Sequence, residues 1–345
     1  MIKILEDIIN LVFFSLTKKE KIFFCENSYT LEYLKPIIEK QLGKNKKLFI
    51  ISYVKINLDK KNFNEIYFNY NFFLELFFLI LNSNYVYSST PGLGTNYFKR
   101  SLIKKSIKYI YIQHSNISLT MGYHHNAFIN FDAVQAVNSY QYNEAKLIRD
   151  KYQKKFKIFK SKYLFLKDYK YLNNNISNSI DFLIAPTWNT NFFTGGIYLK
   201  IINEIKRNNF SYVLRPHPMS FKKKEITYEE LKKKDIFYDI DSRADLKKFR
   251  FLISDWSGIF LEFFLVKGVK PILFETTPKI LNKNFDQYVK KPIEIDLRKE
   301  ISIIFDNGNY GEFIKLLNDI KDKKFDKLKI SDFIKNKCKF IFYES

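Results

Sequence analysis

Neither GxGxxG nor GxxxxGKS/T occurs in this chain, which removes the two glycine-rich loops that most often mark dinucleotide or nucleoside triphosphate binding. Only two cysteines are present, Cys25 and Cys338, with no CxxC spacing. A zinc knuckle and a disulfide framework are thereby excluded, and a cytoplasmic setting is the simplest expectation. No apolar run is long enough to span a bilayer: FFLELFFLIL (72–81) is too short and contains Glu75. MIKILEDIINLVFFSL carries Glu6 and Asp7 and lacks a basic leader and a small-residue cleavage site, so it does not read as a signal peptide. Both apolar stretches are expected as core helices, the first with a membrane-surface role as its alternative. Acidic residues are also scarce, 36 against 58 basic, and the net charge of +22 favours polyanions: nucleic acid, acidic lipid headgroups or phosphate-bearing substrates. The wealth of Lys, Asn, Ile and Phe resembles a genome-wide bias, so lysine count alone locates nothing.

What is present suits two packed interiors. The chain has 345 residues, 46% hydrophobic and 18% aromatic, more than one core comfortably holds. Strand-like runs recur at KIFFCENS (21–28), KLFIISYV (47–54), VYSST (86–90) and KYIYIQHS (108–115), with a strongly apolar helix expected over 64–82. After a Lys- and Asn-rich connector ending in YLNNNISNS, the alternation resumes with DFLIAPTW (181–188), a helix over 195–208, SYVLRPHP (211–218), a short helix on RADLKKF, FLISD, a helix over 258–267, and KPILFE (270–275). Strands alternating with helices predict an α/β protein with two Rossmann-like domains, parallel sheets facing a cleft, over residues 1–175 and 176–330, and a C-terminal helix over 331–345 packing back on the first. Pro91-Gly92-Leu93-Gly94 lacks a third glycine and reads as a structured turn.

The polar residues of interest stand at the ends of predicted strands, where open α/β sheets bind ligands. His114 follows YIYIQ, Thr187 follows LIAP, His217 follows YVLRP and Asp255 follows FLIS. His114 reads either as a general base or as a core histidine. His217, fixed between two prolines, is either a satisfied turn residue or a donor to phosphate, with Arg215 adding charge beside it. His124 and His125 have no third ligand spaced near them and read as loop residues. In SDWSGIFLEFF, Ser257 is the expected helix N-cap, and no Glu or Gln three residues on completes a capping box. That leaves the first turn, at Ser257 and Gly258, free to receive an anion. Glu262 either reaches a ribose hydroxyl or is a helix-surface carboxylate. Asp239-Ile240-Asp241 is the nearest thing to a metal-binding pair but lies among lysines, so neither a metal nor another cofactor is expected. Lys99, Arg100, Lys104, Lys105 and Lys108 are the candidate acceptor or membrane face, against the alternative of a solvated lysine-rich surface.

QHS, LIAPTWN, RPHP and SDWSG, in this order at strand ends over about residues 85–280, resemble the CDP-glycerol glycerophosphotransferase family of teichoic-acid and capsule polymerases. The resemblance implies a GT-B fold and transfer of a phosphopolyol from a CDP-linked donor to a hydroxyl of a polysaccharide or lipid-linked acceptor, releasing CMP; the basic surface separately suits a peripheral seat at the acidic inner face of the membrane. The resemblance makes His114 the acceptor-activating base, His217 a contact to the donor phosphates, Ser257 and Gly258 the pyrophosphate site, and Asp255 a shaper of that turn. Two positions depart from the family: Gly258 stands where a second serine is frequent, and Ser115 where glycine is frequent. A GT-B transferase using a CMP-activated acid sugar, sialic acid or Kdo, is the first alternative. A basic nucleic-acid-binding module is the remote one, opposed by aromatics buried in apolar runs and by the lack of any RRM, KH or zinc signature.

Overall fold

The computed structural model describes residues 2–15, 17–42, 48–161, 163, 179–240, 246–287, 291–306 and 310–324. The connector that was expected to join the domains near residue 175 and the expected helix over 331–345 lie outside these residues. The first domain contains α1 (Ile2–Ser15), β1 (Lys19–Cys25), α2 (Ser28–Glu32), α3 (Lys35–Glu39), β2 (Leu48–Ser52), β3 (Phe63–Tyr67), α4 (Asn71–Leu79), β4 (Ser83–Ser88), β5 (Lys108–Tyr111), β6 (Ala133–Ala136), α5 (Ser139–Lys151) and β7 (Lys157–Lys160). Its sheet has the order β3-β2-β1-β4-β5-β6-β7, every pairing parallel. The chain winds outward in one direction from β1 and in the other from β4, so the switch point of this sheet lies between those two strands.

The second domain contains β8 (Ile180–Ile184), α6 (Ile197–Arg207), β9 (Tyr212–Leu214), α7 (Pro218–Lys222), α8 (Tyr228–Lys233), β10 (Phe249–Ser254), α9 (Ile259–Lys267), β11 (Ile272–Phe274), α10 (Ile293–Ile301), β12 (Ile303–Phe305) and α11 (Tyr310–Lys321). Its parallel sheet runs β12-β11-β10-β8-β9, with the switch point between β8 and β10. The fold is therefore the expected pair of doubly wound α/β domains, of seven and five strands.

Packing follows composition. In the first domain Phe24, Phe78 and Phe98 meet with centroids 4.7–4.9 Å apart, pairs worth about 0.5–1.5 kcal/mol each beyond their buried area. In the second, α9 is apolar on every side, burying Phe260, Leu261, Phe263, Phe264, Leu265 and Val266, and it ends at Gly268 in the left-handed region (φ 63°). A helix so enclosed holds its first turn fixed against the cleft.

Three expectations change. The helix expected over 64–82 divides into strand β3 and helix α4. The break falls at Asn69-Tyr70, whose backbone N–H groups both donate to the buried Asp7 carboxylate of α1, at 2.9 and 3.1 Å. α1 does not pack as a core helix: it leans on α4 and β3 but leaves Ile2, Leu5, Val12 and Phe13 more than half exposed. The only short helix described in RADLKKF is a single 3-10 turn at Leu246–Lys248, residues 241–245 lying outside the described residues. Among the described residues no helix is long and apolar enough to cross a membrane.

Candidate active site in the interdomain cleft

The carboxyl ends of both sheets line one cavity of about 620 Å³. From the first domain come Glu26, Ser89, Thr90, the turn at Pro91 and Gly92, His114 and Ser115; from the second come Thr187, Trp188, Arg215, His217, Ser257, Gly258, Glu262, Lys279 and Glu294. The turn at 91–94 is a structured one. Gly92 and Gly94 adopt φ of 81° and 93°, and their N–H groups donate to Ala127 and Phe98 carbonyls.

His217 caps α7, accepting the Met219 N–H on Nδ1 at 3.1 Å. With Nδ1 an acceptor, the neutral ring carries its proton on Nε2 and is a ready donor. Burial, then the charges of Lys279 and His114, push its pKa down to about 3. His114 is packed between the rings of Tyr33, Tyr111 and Tyr123, and its Nδ1 shares a 2.8 Å hydrogen bond with the Tyr111 hydroxyl. Burial pushes its pKa down to about 4; a hydrogen bond with the Ser89 backbone opposes the shift and Lys279 adds to it. Both imidazoles are therefore uncharged at neutral pH.

Asp255 is fully buried and joins the two switch-point loops. It accepts the Thr187 N–H at 2.8 Å and the Thr190 hydroxyl at 2.9 Å, while its own carbonyl accepts Arg298 Nη1 at 2.6 Å. Burial raises its pKa to about 6 against the pull of those donors. The cap of α9 falls on Gly258, one residue later than the expected Ser257, and no side chain occupies it. A Cβ at Gly258 would stand 2.5 Å from Ile117 Cγ2 and 3.2 Å from Ser115 Oγ, so the helix start presses against the first domain. Glu262 accepts the Tyr163 hydroxyl at 2.8 Å, and burial raises its pKa to about 7. Arg215 lines the cavity with its guanidinium held by Asp239 at 3.1 Å. Asp241, the other half of the candidate metal pair, lies outside the described residues. Among the described residues no three His, Cys, Asp or Glu gather closely enough to hold a metal, and His124 and His125 occupy an exposed loop.

The basic cluster lies elsewhere. Lys108 opens β5, at the amino edge of the sheet opposite the cleft, and none of Lys99, Arg100, Lys104, Lys105 or Lys108 lines the cavity. Lys99 pairs with Glu75, Arg100 and Lys108 with Asp132, and Lys104 donates to Asn84; Lys105 is exposed beside Leu102 and Ile103, which are 70% and 56% exposed.

Three features escaped the sequence. Lys279, in the loop after β11, donates to the Thr187 hydroxyl at 3.1 Å and lies 4.6 Å above the Trp188 ring. Glu294 of α10 accepts the Ser118 N–H at 2.8 Å across the domain boundary, and Glu144 of α5 accepts the Leu119 N–H at 2.7 Å and the Ser118 hydroxyl at 2.6 Å. Leu281 N–H donates to the Met121 carbonyl at 3.0 Å, and Asn282 Nδ2 to the Thr120 carbonyl at 2.7 Å, so the loop bearing Lys279 is stitched to the first domain.

No family model matches this chain, and no curated protein matches it. Solved structures do. A histidine-to-alanine variant of the wall teichoic acid polymerase TagF superposes with a TM-score of 0.53 at 12% identity, covering 93% of this chain and 86% of that one. A histidine-to-asparagine variant of TagF soaked with CDPG gives 0.57 at 11% identity, with the same 93% and 86% coverage. At such identities the likeness is one of fold. It is the GT-B architecture that the resemblance implies, built from the two parallel α/β domains that the strand–helix alternation predicts.

Proposed function

We propose that the protein is a transferase that moves a glycerol-phosphate-type group from a CDP-linked donor to a hydroxyl of a cell-surface polysaccharide or lipid-linked acceptor, releasing CMP. The observation that carries the reading is that His114, His217 and the uncapped start of α9 border a single cavity between two domains. In this reading His114 takes the acceptor proton. The freed oxygen attacks the phosphorus of the phosphopolyol, the bond from that phosphorus to the bridging oxygen breaks, and CMP departs with the electron pair. The His217 Nε2–H and the first N–H groups of α9, at Ser257 and Gly258, meet the pyrophosphate. Asp255 and Thr187 hold the turn, Arg215 lends charge, and Glu262 serves a ribose hydroxyl.

The test is CMP release from CDP-glycerol, CMP-sialic acid and CMP-Kdo offered separately. Turnover of CDP-glycerol alone is expected; release from the acid-sugar donors alone would replace the phosphopolyol reading with the sugar one. The reading also includes a peripheral seat on an anionic membrane, supported by the exposed apolar residues of α1 and by Leu102 and Ile103 between Lys99-Arg100 and Lys104-Lys105.

A further inference from the structure

We propose that Lys279 is a further catalytic residue, the ammonium that takes up the negative charge gained by the departing nucleotide phosphate. The inference rests on the transferase reading above and adds to it a group that no motif marks. Two cavity-lining side chains, Arg215 and Lys279, are lysine or arginine, and Arg215 is already held by Asp239. Lys279 is in a different position. Among the described residues no carboxylate lies within ion-pair distance of it, and its hydrogen bond goes to the neutral Thr187 hydroxyl. An ammonium has three donors, so the others remain available to a ligand.

Its surroundings point the same way. The charge lies against Trp188, whose ring also faces Lys223 at 4.8 Å and stands 6.2 Å from His217. Burial keeps His114 and His217, one from each domain, from taking up a proton, and the Lys279 charge adds to that effect on both. Asp255, Glu294 and Glu225 face it at longer range and favour its charged form, though burial outweighs them and brings its pKa down to about 8. A partly desolvated cation that lines one cavity with two neutral imidazoles and an uncapped helix start is completed by an anion. When the phosphorus–oxygen bond breaks, the bridging oxygen stays with CMP and its phosphate gains one charge, which the ammonium neutralises without a proton changing hands.

The experiment compares Lys279→Met and Lys279→Arg with the wild type, using CDP-glycerol for turnover and cytidine and CMP as binding probes. Lys279→Met should lower kcat by about a hundredfold or more, as loss of a charge-stabilising donor does. It should weaken CMP but leave cytidine binding within about twofold, a split that a folding defect would not produce; Lys279→Arg should recover at least about a tenth of wild-type kcat. Wild-type turnover should also fall above about pH 8, and Lys279→Arg should move that alkaline limb upward. A Lys279→Met protein with kcat within threefold of wild type, or one losing cytidine and CMP binding equally, overturns the assignment; if His217→Ala is then still inactive, the transferase reading stands. A wild-type protein that releases no CMP from CDP-glycerol removes both.

Discussion

His217 is useful because it is neutral. The Met219 N–H fixes its Nδ1 as an acceptor, and burial with Lys279 nearby keeps the ring uncharged at neutral pH, so Nε2–H is a donor whose orientation does not depend on protonation. His217→Ala is expected to lower CMP release by at least about a hundredfold with the thermal midpoint little changed. Gly258 and Ser115, the two departures from the motif pattern that the sequence resembles, face each other across the cleft: a Cβ at Gly258 would stand 3.2 Å from Ser115 Oγ. A side chain at Gly258 meets Ile117 Cγ2, and a β-branched residue cannot swing that methyl away without leaving its rotamer. Gly258→Ser should therefore cost about 1–3 kcal/mol of stability, and adding Ser115→Gly with Ile117→Ala should return most of it in a denaturation series. Lys279 shows the opposite side of legibility. A proline-bracketed histidine stands out in the sequence, whereas one lysine among 58 basic residues carries no signal until the fold brings it beside Trp188.

At the scale of elements, the strands whose ends carry chemistry were readable because each is a compact apolar run stopped by a polar or proline turn. β6 (AVQA), β7 (KIFK) and β12 (IIF) are too short to show a period of two, and they escaped. β3 was hidden because FNEIY runs into the apolar α4, and only a buried aspartate from another helix separates them. α1 was misjudged for a related reason: an apolar helical pattern does not say which face is covered. Its exposed Ile2, Leu5, Val12 and Phe13 give the membrane expectation its test. Vesicles containing anionic lipid should sediment the protein and neutral vesicles should do so weakly. Phe13→Asp with Leu102→Asp should abolish the association while CMP release from CDP-glycerol in the presence of a soluble acceptor continues.

At the scale of the whole molecule, two carboxylates hold the domains to one short segment. Glu144 and Glu294 both take donors from Ser118–Thr120, and burial raises their pKa values to about 7 and about 8, their mutual repulsion adding to the latter. An acid whose folded pKa is raised binds its proton more tightly in the native state, so stability falls as pH rises from the ordinary carboxylate value of 4.5 through those values. The depressed histidines act in the other direction, but only below their ordinary value of 6.5. Between about pH 6.5 and 8 the carboxylates should dominate, and the thermal midpoint should decline. Glu294→Gln should flatten that decline; an unchanged slope would remove the pair from the account.

The stitching of residues 281–282 to residues 120–121 has a consequence for timing. The loop that carries Lys279 is bonded to its own half at Thr276, Thr277 and Lys279 and to the other half at Leu281 and Asn282. Separation of the halves would release one end of that loop and take His114 away from the second half's side of the cavity. An activated donor resting on the second half alone would then face water without the full set of groups that make it labile, and its energy would be kept for the acceptor.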